Sequence, residues 1–197
     1  TSTELMLRVL DVAPTNLAYT ATTYRLTEGE GVSVVAAHEG GALTQCTISP
    51  DVTAITGLSF NSMTCAISGT ASKLAPTPVT YTVSAMNAGN PATSTQIVVR
   101  VVAVAPSGLA YSPLSVSFTV DSQYGGMLSA PSVMGGVVER YSVSPSLPVG
   151  LVLNAQNGAI SGVPTEVSGA TVYTVTASNS GGTTSTNLTL VVNAEAP

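Results

Sequence analysis

The sequence predicts an all-β chain built as two tandem β-sandwich domains. Three observations carry that expectation. The chain has 197 residues, room for two domains of about 100 residues each. Whole phrases recur: "VAPTNLAY" (12–19) returns as "VAPSGLAY" (104–111), and 104 − 12 = 92. Apolar residues alternate with a period of two, the pattern of half-buried strands.

The opening "TSTELMLRVLDVAP" reads as a closing strand, because "STQIVVRVVAVAP" (94–106) and "STNLTLVVNAEAP" (185–197) repeat it. Pro14, Pro106 and Pro197 each end one copy, spaced 92 and 91 residues apart. Residues 1–12 are therefore expected to be the last strand of a preceding repeat, 13–104 the first complete repeat and 105–197 the second. That arrangement implies a piece of a longer array. The apolar "ELMLRVL" would aggregate if left bare. It is expected to complete a preceding module, to lie on a neighbour, or to pair with another chain by strand addition.

Further along, "CTISP" (46–50) matches "YSVSP" (141–145), and "GLSFNSMTCAISGTA" (57–71) matches "GLVLNAQNGAISGVP" (150–164). "VTYTVSAMNAGN" (79–90) matches "TVYTVTASNSGG" (171–182). "SVSFTV" puts Val116, Phe118 and Val120 on one face. "YTVTASN" puts Tyr173, Val175 and Ala177 inward against Thr174, Thr176 and Ser178, and "NLTLVV" aligns Leu188, Leu190 and Val192. "NAQNG" (154–158) and "NSGG" (179–182) supply hairpin turns, and Gly150 and Gly162 stand where the chain turns between apolar runs. No window predicts a helix, since β-branched residues and Gly/Pro punctuation interrupt each one. About seven short strands per repeat is the count of an immunoglobulin-like sandwich. Tyr81 and Tyr173 begin equivalent strands after a long loop and are expected to act as tyrosine corners, each hydroxyl bonded to an upstream backbone group.

Composition bounds the function. Charged residues are 8% and the AVILMFWYC group 44%, enough apolar surface for packed cores and unlike a disordered tail. A net charge of −5 argues against a nucleic-acid partner. The longest apolar stretch, "IVVRVVAVA" (97–105), is broken by Arg100 and falls short of the roughly 20 residues a spanning helix needs, so no membrane insertion is expected in this segment. The start lacks a basic region followed by an apolar run, so a secreted parent would carry its signal upstream.

Few residues invite chemistry. Cys46 and Cys65, the only cysteines, lie in the first repeat at positions aligned with Tyr141 and Gly158 of the second. Such a pair is most simply a disulfide in an oxidising compartment. Two buried free thiols and a metal pair are the alternatives, and a metal would need further ligands that are not nearby. His38, the sole histidine, sits beside Glu39 in an expected loop and reads as a solvated residue. There is no Gly-x-Ser-x-Gly elbow, no HExxH and no paired carboxylates at matching positions, so no catalytic residue, cofactor or metal site is expected. Calcium between modules would need several carboxylates, yet the junction "VVAVAPSGLAYSP" (101–113) has none, and Asp11 and Glu195 are isolated. Asn187-Leu188-Thr189 is the single N-glycosylation sequon, with Asn187 expected to face outward. Tyr124, in "DSQYGG", is the best candidate for an exposed ligand contact.

The words "LPVGLVLN", "NGAISGVPT", "YTVTASNSGG" and the closing apolar strand make the second copy similar to the He_PIG type of immunoglobulin-like repeat, a relative of cadherin-like modules. The first copy departs: "VTAITGL" replaces "SLPVGL", and "MTCAISGTA" lacks the Asn-Gly turn and the proline found at Pro164. The resemblance covers nearly the whole chain. It implies tandem β-sandwiches in long secreted or cell-surface proteins, often adhesive.

The expected function is therefore structural and adhesive: immunoglobulin-like repeats forming part of an extracellular or cell-surface stalk, fibre or adhesin. Its partners would be neighbouring repeats of the same chain, and other chains met by strand addition or side-by-side packing. The alternatives are a module recognising glycan or protein through loops 36–44, 131–138 and 179–182, or a non-catalytic accessory region of a secreted enzyme. The absence of Trp weighs against a sugar platform.

Overall fold

A computed structural model describes residues 11–89, 91–122 and 127–195. Most of the expected opening strand, 1–12, lies outside the described residues, as does Tyr124. The chain divides into two compact units, Thr1–Val102 and Ala103–Pro197.

The first unit contains β1 (Thr15–Ala18), β2 (Thr23–Thr27), β3 (Gly31–Val34), β4 (Ala37–Glu39), β5 (Gln45–Ser49), α1 (Val52–Thr56), β6 (Ser59–Phe60), β7 (Ile67–Thr70), β8 (Ala75–Met86) and β9 (Thr93–Val102). One sheet runs β2-β9-β8-β5; the other layer is β3-β7-β6 together with the pair β1-β4. The second unit contains β10 (Pro106–Ala110), β11 (Ser115–Thr119), β12 (Ser132–Gly135), β13 (Arg140–Ser144), β14 (Leu151–Leu153), β15 (Ile160–Gly162), β16 (Ser168–Asn179) and β17 (Gly182–Asn193). Its main sheet runs β11-β17-β16-β13, and the pairs β10-β12 and β14-β15 form the other layer, where Leu128 bridges Ile160.

The alternation read from sequence sets the layers. Tyr173, Val175 and Ala177 on β16 and Leu188, Leu190 and Val192 on β17 are all buried in one core. Phe118 of β11 joins them. Each large side chain so buried contributes roughly 1.5–3 kcal/mol. Their strand neighbours Thr174 and Asn187 face water. In both units the outer strand pairs parallel with the last strand: Thr23–Thr27 runs alongside Val98–Val102, and Ser115–Thr119 alongside Thr189–Asn193.

Two expectations are corrected. The first unit does contain a helix, α1, at "DVTAIT", a segment of poor helix formers. Its ends explain it. The Asp51 carboxylate accepts from the N–H groups of Thr53 and Ala54, Gly57 closes the turn at φ 81°, and the Lys73 ammonium donates to the carbonyls of Thr53 and Ala54. Capping at both ends, with Val52 and Thr56 buried, outweighs weak propensity. The second correction concerns the tyrosines. The Tyr81 hydroxyl is buried and finds no hydrogen-bond partner among the described residues. The hydroxyl-to-backbone bond belongs instead to Tyr19 and Tyr111, which donate to the carbonyls of Cys65 and Gly158, each at 2.6 Å. These two tyrosines follow the first strand of their units, so each bond ties the start of the sandwich to the turn before β7 or β15.

Burial pushes both hydroxyls up to about 12. The folded state thus holds these protons more tightly than the unfolded chain. Their contribution should be complete below about pH 10 and should fade as the pH rises towards 12. Tyr19→Phe and Tyr111→Phe should each lower the stability of their own unit by about 1–3 kcal/mol, because a buried carbonyl loses its donor. Denaturant unfolding of the two variants at neutral pH checks this.

Candidate functional site

Each unit holds the chain that enters it. The Val12 carbonyl accepts from Asn87 Nδ2 at 2.7 Å and from the Gly41 N–H at 3.0 Å. In the second unit the Val104 carbonyl accepts from Asn179 Nδ2, also at 2.7 Å. The same asparagines accept through Oδ1 from the backbone of their own hairpin, at Gly89 in one unit and Gly181 in the other. One side chain therefore shapes the turn and grips the incoming strand. Small residues let the backbone come this close. A Cβ at Gly89 would collide with the Asp11 carbonyl, and one at Gly181 with the Ala103 carbonyl. Pro14 and Pro106 are buried, whereas Val12 is 67% exposed. Recognition is thus of main chain and proline, with little demand on the side chain between.

Beside this clasp lies the cysteine pair. Cys46 on β5 and Cys65 before β7 form a disulfide with Cα atoms 5.3 Å apart, so the free-thiol and metal alternatives do not apply. Cys65 has φ 55°, a left-handed conformation unusual for a residue with a Cβ. Its counterpart Gly158 has φ 77°. A Cβ on Gly158 would lie 2.9 Å from ring carbons of Tyr141. The second unit thus packs a tyrosine ring over a bare glycine where the first unit has a covalent bridge.

A shallow groove of about 290 Å³ opens near the same pole of the first unit, lined by Val35, Ala36, His38, Ala42, Leu43, Met63 and Thr64. Part of the expected loop 36–44 lines it. His38 lies on the short strand β4 rather than in a loop, half-buried, with Nδ1 3.4 Å from the Glu39 carbonyl. Likewise, the second expected loop, 131–138, includes β12. Residues 179–182 form the tight hairpin described above. Asn187 is exposed on β17, its Oδ1 accepting from Thr174 Oγ1 at 3.0 Å. No group of three or more His, Cys, Asp or Glu able to hold a metal occurs among the described residues.

A family model described as Putative Ig domain, He_PIG, matches residues 13–103 and again residues 105–193. The chain belongs to the He_PIG family. None of the curated proteins matches it in sequence. Among solved structures it is similar to sidekick-1 immunoglobulin domains 1–4, at 12% identity and TM-score 0.50, covering 94% of this chain and 50% of that one. It is also similar to titin domains z1z2 in a complex with telethonin, at 17% identity and TM-score 0.41, over 96% of this chain and 100% of that one. Human protocadherin-24 EC1-2 is similar at 18% identity and TM-score 0.39, over 95% and 100% of the two chains. The He_PIG chain thus spans about half the length of the sidekick-1 fragment.

The sequence marks "NSGG" (179–182) as a hairpin turn and "MNAGN" (86–90) only as part of its repeat partner. The recurrence of their asparagines at an offset of 92 residues was a usable signal, but nothing local says that Nδ2 reaches a carbonyl 75 residues earlier. Asn87→Ala and Asn179→Ala should each destabilise their own He_PIG unit by about 1–3 kcal/mol. Val12→Ser, which alters only an exposed side chain, should stay within about 0.5 kcal/mol. Urea unfolding of the three variants measures all of these.

Proposed function

We propose that the chain is structural material of an extracellular or cell-surface protein, two He_PIG modules covering 13–104 and 105–197 that act in series as part of a stalk, fibre or adhesin. One observation carries the reading: chain enters and leaves each unit at opposite poles. The incoming segment is gripped by the hairpin at the start of β9 or β17, and the chain departs from that strand's other end. Ten residues of β9 separate the two points by roughly 33 Å.

The strand order suits load. Tension pulls the outer strand β2 and the last strand β9 in opposite directions along their length. Five paired positions then bear shear together, and the same holds for β11 and β17. An unzipping geometry would break them one at a time. The disulfide fits an oxidising compartment. No helix among the described residues is long and apolar enough to cross a membrane.

The partners proposed are neighbouring modules, together with other chains alongside. Asn187 is proposed as a glycan acceptor in a host that glycosylates, since its side chain is exposed. A second reading, recognition of an apolar side chain by the groove at Val35, Leu43 and Met63, rests on that groove alone. No Trp, Tyr or Phe lines it, which disfavours a sugar.

Pulling the chain by its ends in a force spectrometer tests the main reading. Two separate rupture events are expected. The second unit should release roughly 30 nm of chain. The first should release about 7 nm less while the bridge hides its 19-residue loop. Smooth extension without ruptures would contradict a mechanical role.

A further inference from the structure

The first unit's interior is in two parts. Its main cluster gathers Leu26, Leu58, Tyr81, Ile97 and Val99. A smaller cluster at the clasp end holds Cys46 and Cys65 with Leu17, Ala36, Val83 and Ala85, and the half-buried Tyr19, Ile48 and Phe60 pack against both. The second unit has no such division among the described residues: Tyr141 and Tyr111 lie in the same cluster as Phe118 and Leu190. At the matching place a large ring lies within the one interior of the second unit, and two sulfurs lie within the smaller cluster of the first.

Removing the bridge leaves the Tyr19 hydroxyl bond to the Cys65 carbonyl as a side-chain tie at that turn. The fully buried neighbours that remain are Leu17, Ala36, Val83 and Ala85, with Tyr19, Leu43, Ile48 and Phe60 half-buried around them, and Cys65 keeps its left-handed backbone without a covalent reason to do so. The same pole holds the clasp. Cys46 pairs with Ala85 on β8, and Asn87, which grips Val12, follows two residues later. The Cys46 N–H donates to the Ser62 carbonyl at 2.7 Å, and the Thr44 N–H to the Met86 carbonyl at 2.9 Å. Loss of the bridge therefore loosens the turn at 61–65 and the support under the incoming strand together.

We propose that the Cys46–Cys65 bridge is a redox-sensitive lock on the incoming chain, present in the first unit alone. Reduction adds two electrons and two protons from a dithiol, which is oxidised in turn, and gives two thiols. It opens the clasp pole of the first unit as a local event while the main cluster stays folded. The second unit carries a tyrosine over a glycine at the same place and does not respond. Oxidation state thereby sets how firmly one junction of the chain is held and leaves the next unchanged.

The test is amide hydrogen exchange on the full chain, with and without a dithiol reductant, with alkylation of a parallel sample confirming reduction by mass. Reduction should speed exchange at least 10-fold at Gly41, Cys46, Met63 and Thr64. Gly136, Tyr141, Gln156 and Asn157, their counterparts, should be unchanged. The double variant Cys46→Tyr with Cys65→Gly should lose the response. If that variant does not fold, the wild-type comparison between units still decides. Equal responses in both units would overturn the proposal. So would an unchanged first unit, global unfolding of that unit, or a bridge that resists the reductant in the native protein.

Discussion

One carbonyl in each unit ties the incoming chain to the sandwich: Val12 O in the first and Val104 O in the second. Each is held by an asparagine side chain from the hairpin that leads into the last strand. Much of the module's geometry depends on that contact. It fixes where the chain arrives relative to the longest strands. It requires glycine at Gly89 and Gly181, because any Cβ there would meet a main-chain carbonyl. Since the chain departs at the other end of the same strands, each unit becomes a link with an input at one pole and an output at the other.

The two repeats reach this arrangement with different chemistry at one place. A residue in left-handed conformation must precede β7 or β15, and its carbonyl must receive a tyrosine hydroxyl. Glycine meets the backbone demand without strain and leaves a hollow that the Tyr141 ring fills. Cysteine meets it against its own preference, and a covalent bond to Cys46 holds it there. By the loop-closure argument a bridge over a 19-residue separation contributes about 3 kcal/mol. That is comparable to burying one large side chain, so the exchange of a ring for a bridge is close to even.

Much of this was legible in the residues. Alternation in "YTVTASN" and "NLTLVV" identified the buried faces because a central strand with one face in the core has a strict period of two. The phrase repeats locate equivalent positions and align Cys46 and Cys65 with Tyr141 and Gly158. The remainder is non-local. Helix α1 exists through its caps and through Lys73, none of which alters its poor propensity. The tyrosine-corner bond expected of Tyr81 and Tyr173 is made by Tyr19 and Tyr111. Both pairs start from matched words, and only the path of the chain decides which hydroxyl meets a free carbonyl. The clasp was invisible for the same reason: Asn-x-Gly is a common turn, and its reach across the unit is a property of the fold.

The central claim is that each He_PIG unit is a self-contained sandwich with its own interior. Hydrogen exchange on the full chain carrying Leu190→Ala tests it most directly. Leu190 is fully buried in the second unit, and its truncation should cost about 2–5 kcal/mol there. The account predicts faster exchange along β16 and β17 with protection along β8 and β9 unchanged. A matching loss of protection in both units would show a single cooperative body and contradict it.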